Sequence, residues 1–371
     1  MSASILSLVI FVAVFALVVF VHEFGHYVAS RLLKVEVEEF GFGLPPRMLK
    51  LFRWKGTDFT LNWLPIGGFV RPKGENDPRI PGGLAAASPW TRLGVLVAGP
   101  AMNLLLAVLV FSLLFYNMGV PDYTKVQISD VLAGSPAAQA GIGINDIVVS
   151  VNGIEIRDPG QLHDIIYANL DTPVQITLLR GAETVAVTAT PSGARAADQG
   201  ALGIAMGPAL VRPGSIIQSL QYGSYAVTAQ ARLLVLLPAQ LMRGQLSPEE
   251  SRLIGLKGIY DLFGQAVSRD LESREIAPAS SGAASAETPT YFTLQLIGIL
   301  TISLGVLNLF PFPALDGGRI LFVLPELVLR RRVPSEWENR INAAGMIALL
   351  LLMAYVNIMD FVNPAVVDLP R

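Results

Sequence analysis

The stretch Phe20–Ser30, FVHEFGHYVAS, places two histidines and a glutamate at the end of an apolar run that begins near Ile5. Ionisable side chains are costly at membrane depth and mark functional positions where they occur. A spanning helix needs about 20 predominantly apolar residues, and the run from about Ile5 to Leu33 is long enough. No Lys or Arg precedes Arg31, so the basic region of a secretory signal is missing and the run is expected to be a retained span.

His22, Glu23 and His26 form the pattern H-E-x-x-H. Helical positions i and i+4 share a face, so both imidazoles can reach one metal ion, and the adjacent glutamate can take a proton from water. A catalytic zinc takes three protein ligands and keeps one position open. The chain has 3 histidines and no cysteine. The remaining one, His163, falls in a polar stretch far along the chain and reads as a surface residue, so the third ligand has to be a carboxylate. Asp316, in NLFPFPALDGGR (Asn308–Arg319), is the best candidate. Pro311 and Pro313 break the apolar segment before it, and Gly317 and Gly318 permit unusual backbone geometry after it. The competing readings are structural: an ion pair of Glu23 with Arg31 or Arg92, and a plain Asp-Gly-Gly turn.

Composition agrees with a membrane protein that carries some soluble mass. Of 371 residues, 52% are hydrophobic and only 15% charged, against about 25% charged in soluble domains, and the mean hydropathy is +0.52. The net charge of −2 argues against a nucleic-acid partner, and the lack of cysteine excludes disulfide partners and thiolate metal sites. Four segments are apolar enough to span: about Ile5–Leu33, Leu93–Val120, Tyr291–Phe312 and Ala343–Val362. Basic residues cluster between Lys34 and Arg79 and again from Arg319 to Arg340. Both regions are therefore expected on the cytoplasmic side, with the N-terminus, the long middle region and the C-terminus outside. This orientation puts the ends of the first and third spans, and so His22, His26 and Asp316, at the same depth.

Residues 1–120 thus hold two spans and a cytoplasmic loop. That loop alternates apolar and polar residues around Gly-rich turns, as short strands and hairpins do. Its segment FTLNWLPIGGFV (Phe59–Val70) is apolar enough to dip toward the membrane and pack near the site. Residues 121–210 read as one compact α+β domain. INDIVVSVNGIEI suggests two strands joined by an Asn-Gly turn, and DPGQLHDIIYANL a helix capped by Asp158 with Pro159 in first position. In 211–290 an amphipathic helix (about 215–243) is expected to lie on the outer membrane face, followed by a flexible linker, SREIAPASSGAASAETPT (273–290). The last two spans fill 291–371.

HEFGH in the first span, AGPAMN (Ala98–Asn103) in the second and NLFPFPALDGGR after the third resemble the site-2 protease family of intramembrane zinc metalloproteases. The arrangement around one inserted PDZ-like domain resembles the bacterial regulators of sigma-E protease. The resemblance covers nearly the whole chain. It implies Zn2+ held by His22, His26 and Asp316, with Glu23 as catalytic base and Asn308 at the substrate backbone or oxyanion. It also implies that GGFVRPKGEND (Gly67–Asp77) is a membrane-reentrant β-loop pairing with substrate, with Gly68, Phe69 and Val70 as contacts and Asn103 as a further substrate-binding residue. In the PDZ-like domain Leu202, Gly203 and Ile204 are the candidate peptide contacts. The expected fold is a multi-pass α-helical membrane protein with four transmembrane helices, a membrane-associated β-hairpin and an inserted α+β PDZ-like domain, in a bacterial inner membrane. The expected partners are the lipid bilayer and a single-pass membrane protein, such as an anti-sigma factor, or a remnant signal peptide. The rival reading is a non-proteolytic receptor that binds peptides through the PDZ-like domain.

Overall fold

The computed structural model describes residues 3–194, 200–245, 252–279 and 291–363. The chain divides into two compact units: Met1–Ser112 with Leu220–Arg269 and Tyr291–Arg371, and Leu113–Ser219 with Asp270–Thr290.

In the first unit, α1 (Ala3–Leu32), α2 (Pro89–Met118) and α9 (Ser335–Val362) are long and apolar enough to cross a membrane. The fourth expected segment is a shorter helix, α7 (Phe292–Asn308), of 17 residues. It stops short of Phe312 because Pro311 lacks an N–H and its ring crowds the carbonyl four residues back. What reads in the sequence as a mere connection then forms another helix, α8 (Asp316–Leu329). α2 starts at Pro89 rather than Leu93, as suits proline at a first helical position.

Between α1 and α2 the strands β1 (Val37–Trp54) and β2 (Thr57–Pro72) pair antiparallel, and each doubles back on itself. Phe40 faces both Val70 and Phe59, while Arg47 faces Asn62. Residues 37–44 therefore lie between two parts of β2, and the part that ends at Pro72 forms an open edge. Phe40 is buried against Tyr27 of α1, with Phe20, Phe59 and Val70 around it, which fixes the sheet to the helix. Away from this core Leu49, Phe52, Trp54 and Trp63 are exposed, interleaved with Arg47, Lys50 and Arg53.

α5 (Ile216–Met242) forms where an amphipathic helix is expected. Its Gly223 lies against Ser112 and the carbonyl of Val108, an approach to α2 that a Cβ would obstruct. The expected linker starts too early. α6 (Leu256–Ala279) runs into it, and only its later part, 280–290, lies outside the described residues. Phe263, Ala266 and Val267 recur at helical spacing and are buried, which anchors the helix ahead of the Ser/Ala-rich stretch.

The second unit is a six-stranded antiparallel sheet. β3 (Val120–Val131), β4 (Ile147–Val151), β6 (Val174–Arg180), β7 (Glu183–Ala189) and β8 (Ile204–Val211) lie in the order β7-β6-β4-β3-β8, with β5 (Ile154–Glu155) beside β4. Asn152 and Gly153, with φ of 51° and 80°, form the expected tight turn between β4 and β5. A short helix, α3 (Pro136–Gln139), and α4 (Pro159–Ala168) complete the unit. Asp158 caps α4 by accepting from the Gln161 amide at 2.8 Å. Val126, Ile128, Leu162, Val174 and Leu178 form the core.

Candidate metal centre

α1 holds His22 and His26 one turn apart, buried, with their rings at 82°. Asp316, the first residue of α8, brings its Oδ2 to 3.2 Å from His22 Nε2 and 3.3 Å from His26 Nε2. The two Nε2 atoms are themselves 3.2 Å apart. Ligands about 2.0–2.1 Å from a tetrahedral zinc stand roughly 3.3 Å from one another, so this near-equilateral set fits such an ion. Among the described residues these three form the one cluster of His and acidic groups able to hold a metal.

Main-chain groups orient the set. His26 donates from Nδ1 to the Val95 carbonyl at 2.8 Å, which leaves its Nε2 lone pair facing Asp316. Glu23 points beside the cluster, and its carboxylate accepts the Val70 amide of the sheet edge at 3.0 Å. Neither rival pairing of Glu23 forms: Arg31 donates to the Lys55 carbonyl, and Arg92 pairs with Glu326.

The local sequence makes this convergence possible by leaving atoms out. A Cβ on Gly99 would collide with the His26 ring, and one on Gly25 with the Ala98 carbonyl. α1 and α2 thus meet through glycine, as close-packed membrane helices do. Gly317 and Gly318 are needed for the same reason rather than for unusual φ. A Cβ on either would strike the carbonyls of Leu309, Phe310 or Phe312, whereas the positive φ in this turn, 81°, is carried by Ala314.

A cavity of about 680 Å³ opens on the cluster, lined by His22, Glu23, His26, Phe69, Val70, Asn308 and Asp316 among others. Gly68 stands behind this wall against the Gly41 carbonyl. Asn103 is fully buried and is not part of the wall; its Nδ2 lies 3.3 Å from His22 Nδ1. In the sheet unit Leu202 is buried in the core, Gly203 has a φ of 70°, and Ile204 begins β8. His163 is exposed, 3.3 Å from Asp164 and stacked on Tyr167. Sequence reasoning misses the Val95 carbonyl and the Val70 amide, because a main-chain group has no letter. It also misses Arg319, which pairs with Glu75 and donates to Asn76 at 3.1 Å, tying α8 to the loop after β2.

Two imidazoles and a carboxylate converging beside a glutamate, on a scaffold with membrane-length apolar helices, define a metal-site protein of the membrane-embedded class. The chain belongs to peptidase family M50, whose pattern matches residues 10–352. It is 30% identical over 369 residues to a protein of Mesorhizobium japonicum named "putative zinc metalloprotease", covering 94% of this chain and 97% of that one. A protein of the same description from Clostridium acetobutylicum is 27% identical, covering 97% and 99%. Metalloprotease MmpA of Caulobacter vibrioides is 28% identical, covering 95% and 94%.

Proposed function

We propose that the protein is a zinc-dependent intramembrane endopeptidase of a bacterial inner membrane, cleaving the membrane segment of a single-pass protein or a remnant signal peptide. The observation that carries this reading is the triangle of ligand atoms 3.2–3.3 Å apart, with Glu23 beside it and a cavity in front. His22, His26 and Asp316 hold the ion. Bound zinc supplies Lewis acidity toward a carbonyl oxygen and toward water.

The chain's own residues do the rest. Peptide groups in a helix are hydrogen-bonded and shielded, so the substrate has to be extended before it is cut. In an antiparallel ladder a residue whose N–H points away from its partner strand turns its C=O the same way. The Val70 amide points to Glu23 and is taken by its carboxylate, so the Val70 C=O also faces outward at the open edge, and an extended substrate adds there as a further strand. Glu23 takes the water proton and passes it to the leaving nitrogen. Asn308, on the cavity wall, donates to the developing oxyanion.

In this reading α1, α2, α7 and α9 are the four spans, with the site toward the cytoplasmic side and the sheet unit outside. The sheet unit acts as a PDZ-like module that receives a peptide near Leu202–Ile204, and regulated intramembrane proteolysis, as of an anti-sigma factor, is the setting. The test uses purified full-length protein and a membrane-spanning model peptide. Glu23→Gln is expected to keep stoichiometric zinc and to lose cleavage by at least about a hundredfold. Asp316→Ala is expected to lose zinc by elemental analysis. Cleavage by Glu23→Gln at the wild-type rate removes Glu23 from the role of base. A wild type that holds zinc and cuts no membrane peptide favours the receptor reading.

A further inference from the structure

Asn103 is fully buried, in the middle of α2, between α1 and α7. A Cβ on Gly305 of α7 would lie 3.3 Å from the Asn103 Cβ, so the two helices meet at this side chain. It is absent from the wall of the cavity that exposes His22, Glu23 and His26, and a substrate in that cavity does not reach it. Its amide meets one polar group, the Nδ1 of His22, 3.3 Å from its Nδ2, and its Oδ1 has no hydrogen-bond partner.

That arrangement conflicts with the metal centre in one respect only. If Nδ2 donates to His22 Nδ1, the imidazole carries its proton on Nε2, the atom that faces Asp316 and His26. A protonated Nε2 is no metal ligand. Turning the amide through 180° exchanges its oxygen and nitrogen without moving the rest of the side chain. Oδ1 then accepts a proton from Nδ1, the buried oxygen is satisfied, and the Nε2 lone pair is free for the ion. The ligand chemistry of His22 therefore demands this turn, which gives the buried oxygen its partner and sets the amide nitrogen in the place the oxygen leaves. His26 already has the matching arrangement, its Nδ1 donating to the Val95 carbonyl.

We infer that Asn103 is a positioning residue for the metal centre: its side-chain oxygen accepts the Nδ1 proton of His22 and holds that imidazole in the tautomer that ligates through Nε2. This rests on the zinc-site reading above and assigns Asn103 to the metal, not to the substrate. Outer partners of metal-bound histidines contribute roughly ten- to hundredfold in affinity.

The test measures zinc dissociation by chelator competition on the detergent-purified full chain, with zinc alone as the probe. Asn103→Leu, which keeps the volume and removes the acceptor, is expected to raise the zinc Kd roughly ten- to hundredfold. Asn103→Asp, which is able to accept in either orientation of its carboxylate, is expected to stay within about tenfold of wild type. The cobalt-substituted protein adds a spectroscopic readout: its visible absorption bands shift in Asn103→Leu and return in Asn103→Asp. An unchanged Kd in Asn103→Leu overturns the inference, and so does an Asn103→Asp protein as weak as Asn103→Leu, since that result marks the amide as a donor. Wild-type protein without stoichiometric zinc overturns instead the reading on which the inference stands, so the two failures are told apart.

Discussion

Gly99 shows how much of this centre depends on an absent atom. Its missing side chain is the space that the His26 imidazole occupies, and the same ring reaches past it to the Val95 carbonyl. Gly99→Ala is expected to rotate or displace the ring and raise the zinc Kd by roughly tenfold or more, while helicity by circular dichroism is unchanged. The convergence of these side chains was legible: the four-residue spacing of the histidines, the shortage of other donors and the carboxylate after a proline-broken apolar segment point to His22, His26 and Asp316, which the structure brings together. The reason given for Gly317 and Gly318 was not, because a glycine letter does not say whether it grants φ or space. Here it grants space, and the left-handed residue is Ala314.

At the scale of elements, the C-terminal turns of α9 and the start of α6 form a joint that spacing in sequence does not reveal. Asp360, buried, accepts from the amides of Gly255 at 2.8 Å and Gly258 at 3.0 Å, and Asn357 accepts from Leu256 at 2.9 Å. Those are amides that open α6 and have no partner within their own helix. A long apolar helix thus supplies the caps for a helix about a hundred residues earlier in the chain. Asp360→Ala is expected to lower stability by about 1–3 kcal/mol and to speed amide hydrogen exchange at Gly255 and Gly258 before the rest of the protein. The elements that sequence reading found are those whose signals are local: the capped α4, the Asn-Gly turn and the long apolar runs. The doubling-back of β1 and β2, α8 behind its prolines and the full reach of α6 escaped it. Each depends on partners beyond its own segment, Tyr27 of α1 beneath Phe40 and Arg92 of α2 against Glu326 of α8 being examples.

Across the first unit, charge is concentrated where α2, α8 and α9 meet. Arg92 is buried and pairs with Glu326 at 2.8 Å and Glu338 at 3.7 Å, and Arg332 donates to the Ala85 carbonyl at 2.6 Å. Removing one member of a buried pair strands the other charge and costs about 3–5 kcal/mol, whereas replacing both with apolar groups is often neutral. Glu326→Ala is therefore expected to lower the Tm in detergent by several degrees, and Arg92→Met with Glu326→Leu and Glu338→Gln, which leaves no charge of the network stranded, to recover most of the loss. Recovery absent in the triple variant would assign the network a role beyond packing. Charge counting in the sequence includes Arg332 among the residues expected on the cytoplasmic side but passes over Arg92, whose acidic partners become apparent only once three helices are assembled.

The ligand set has a consequence for biogenesis. His22 and His26 emerge from the ribosome early, and Asp316 only after most of the chain has been synthesised and inserted. Through most of its translation the nascent polypeptide carries two thirds of a metal site and no completed one. The order of synthesis by itself therefore keeps the cluster incomplete until α1, α2 and α7 have all been made, and leaves only α8 and α9 to close around it afterwards.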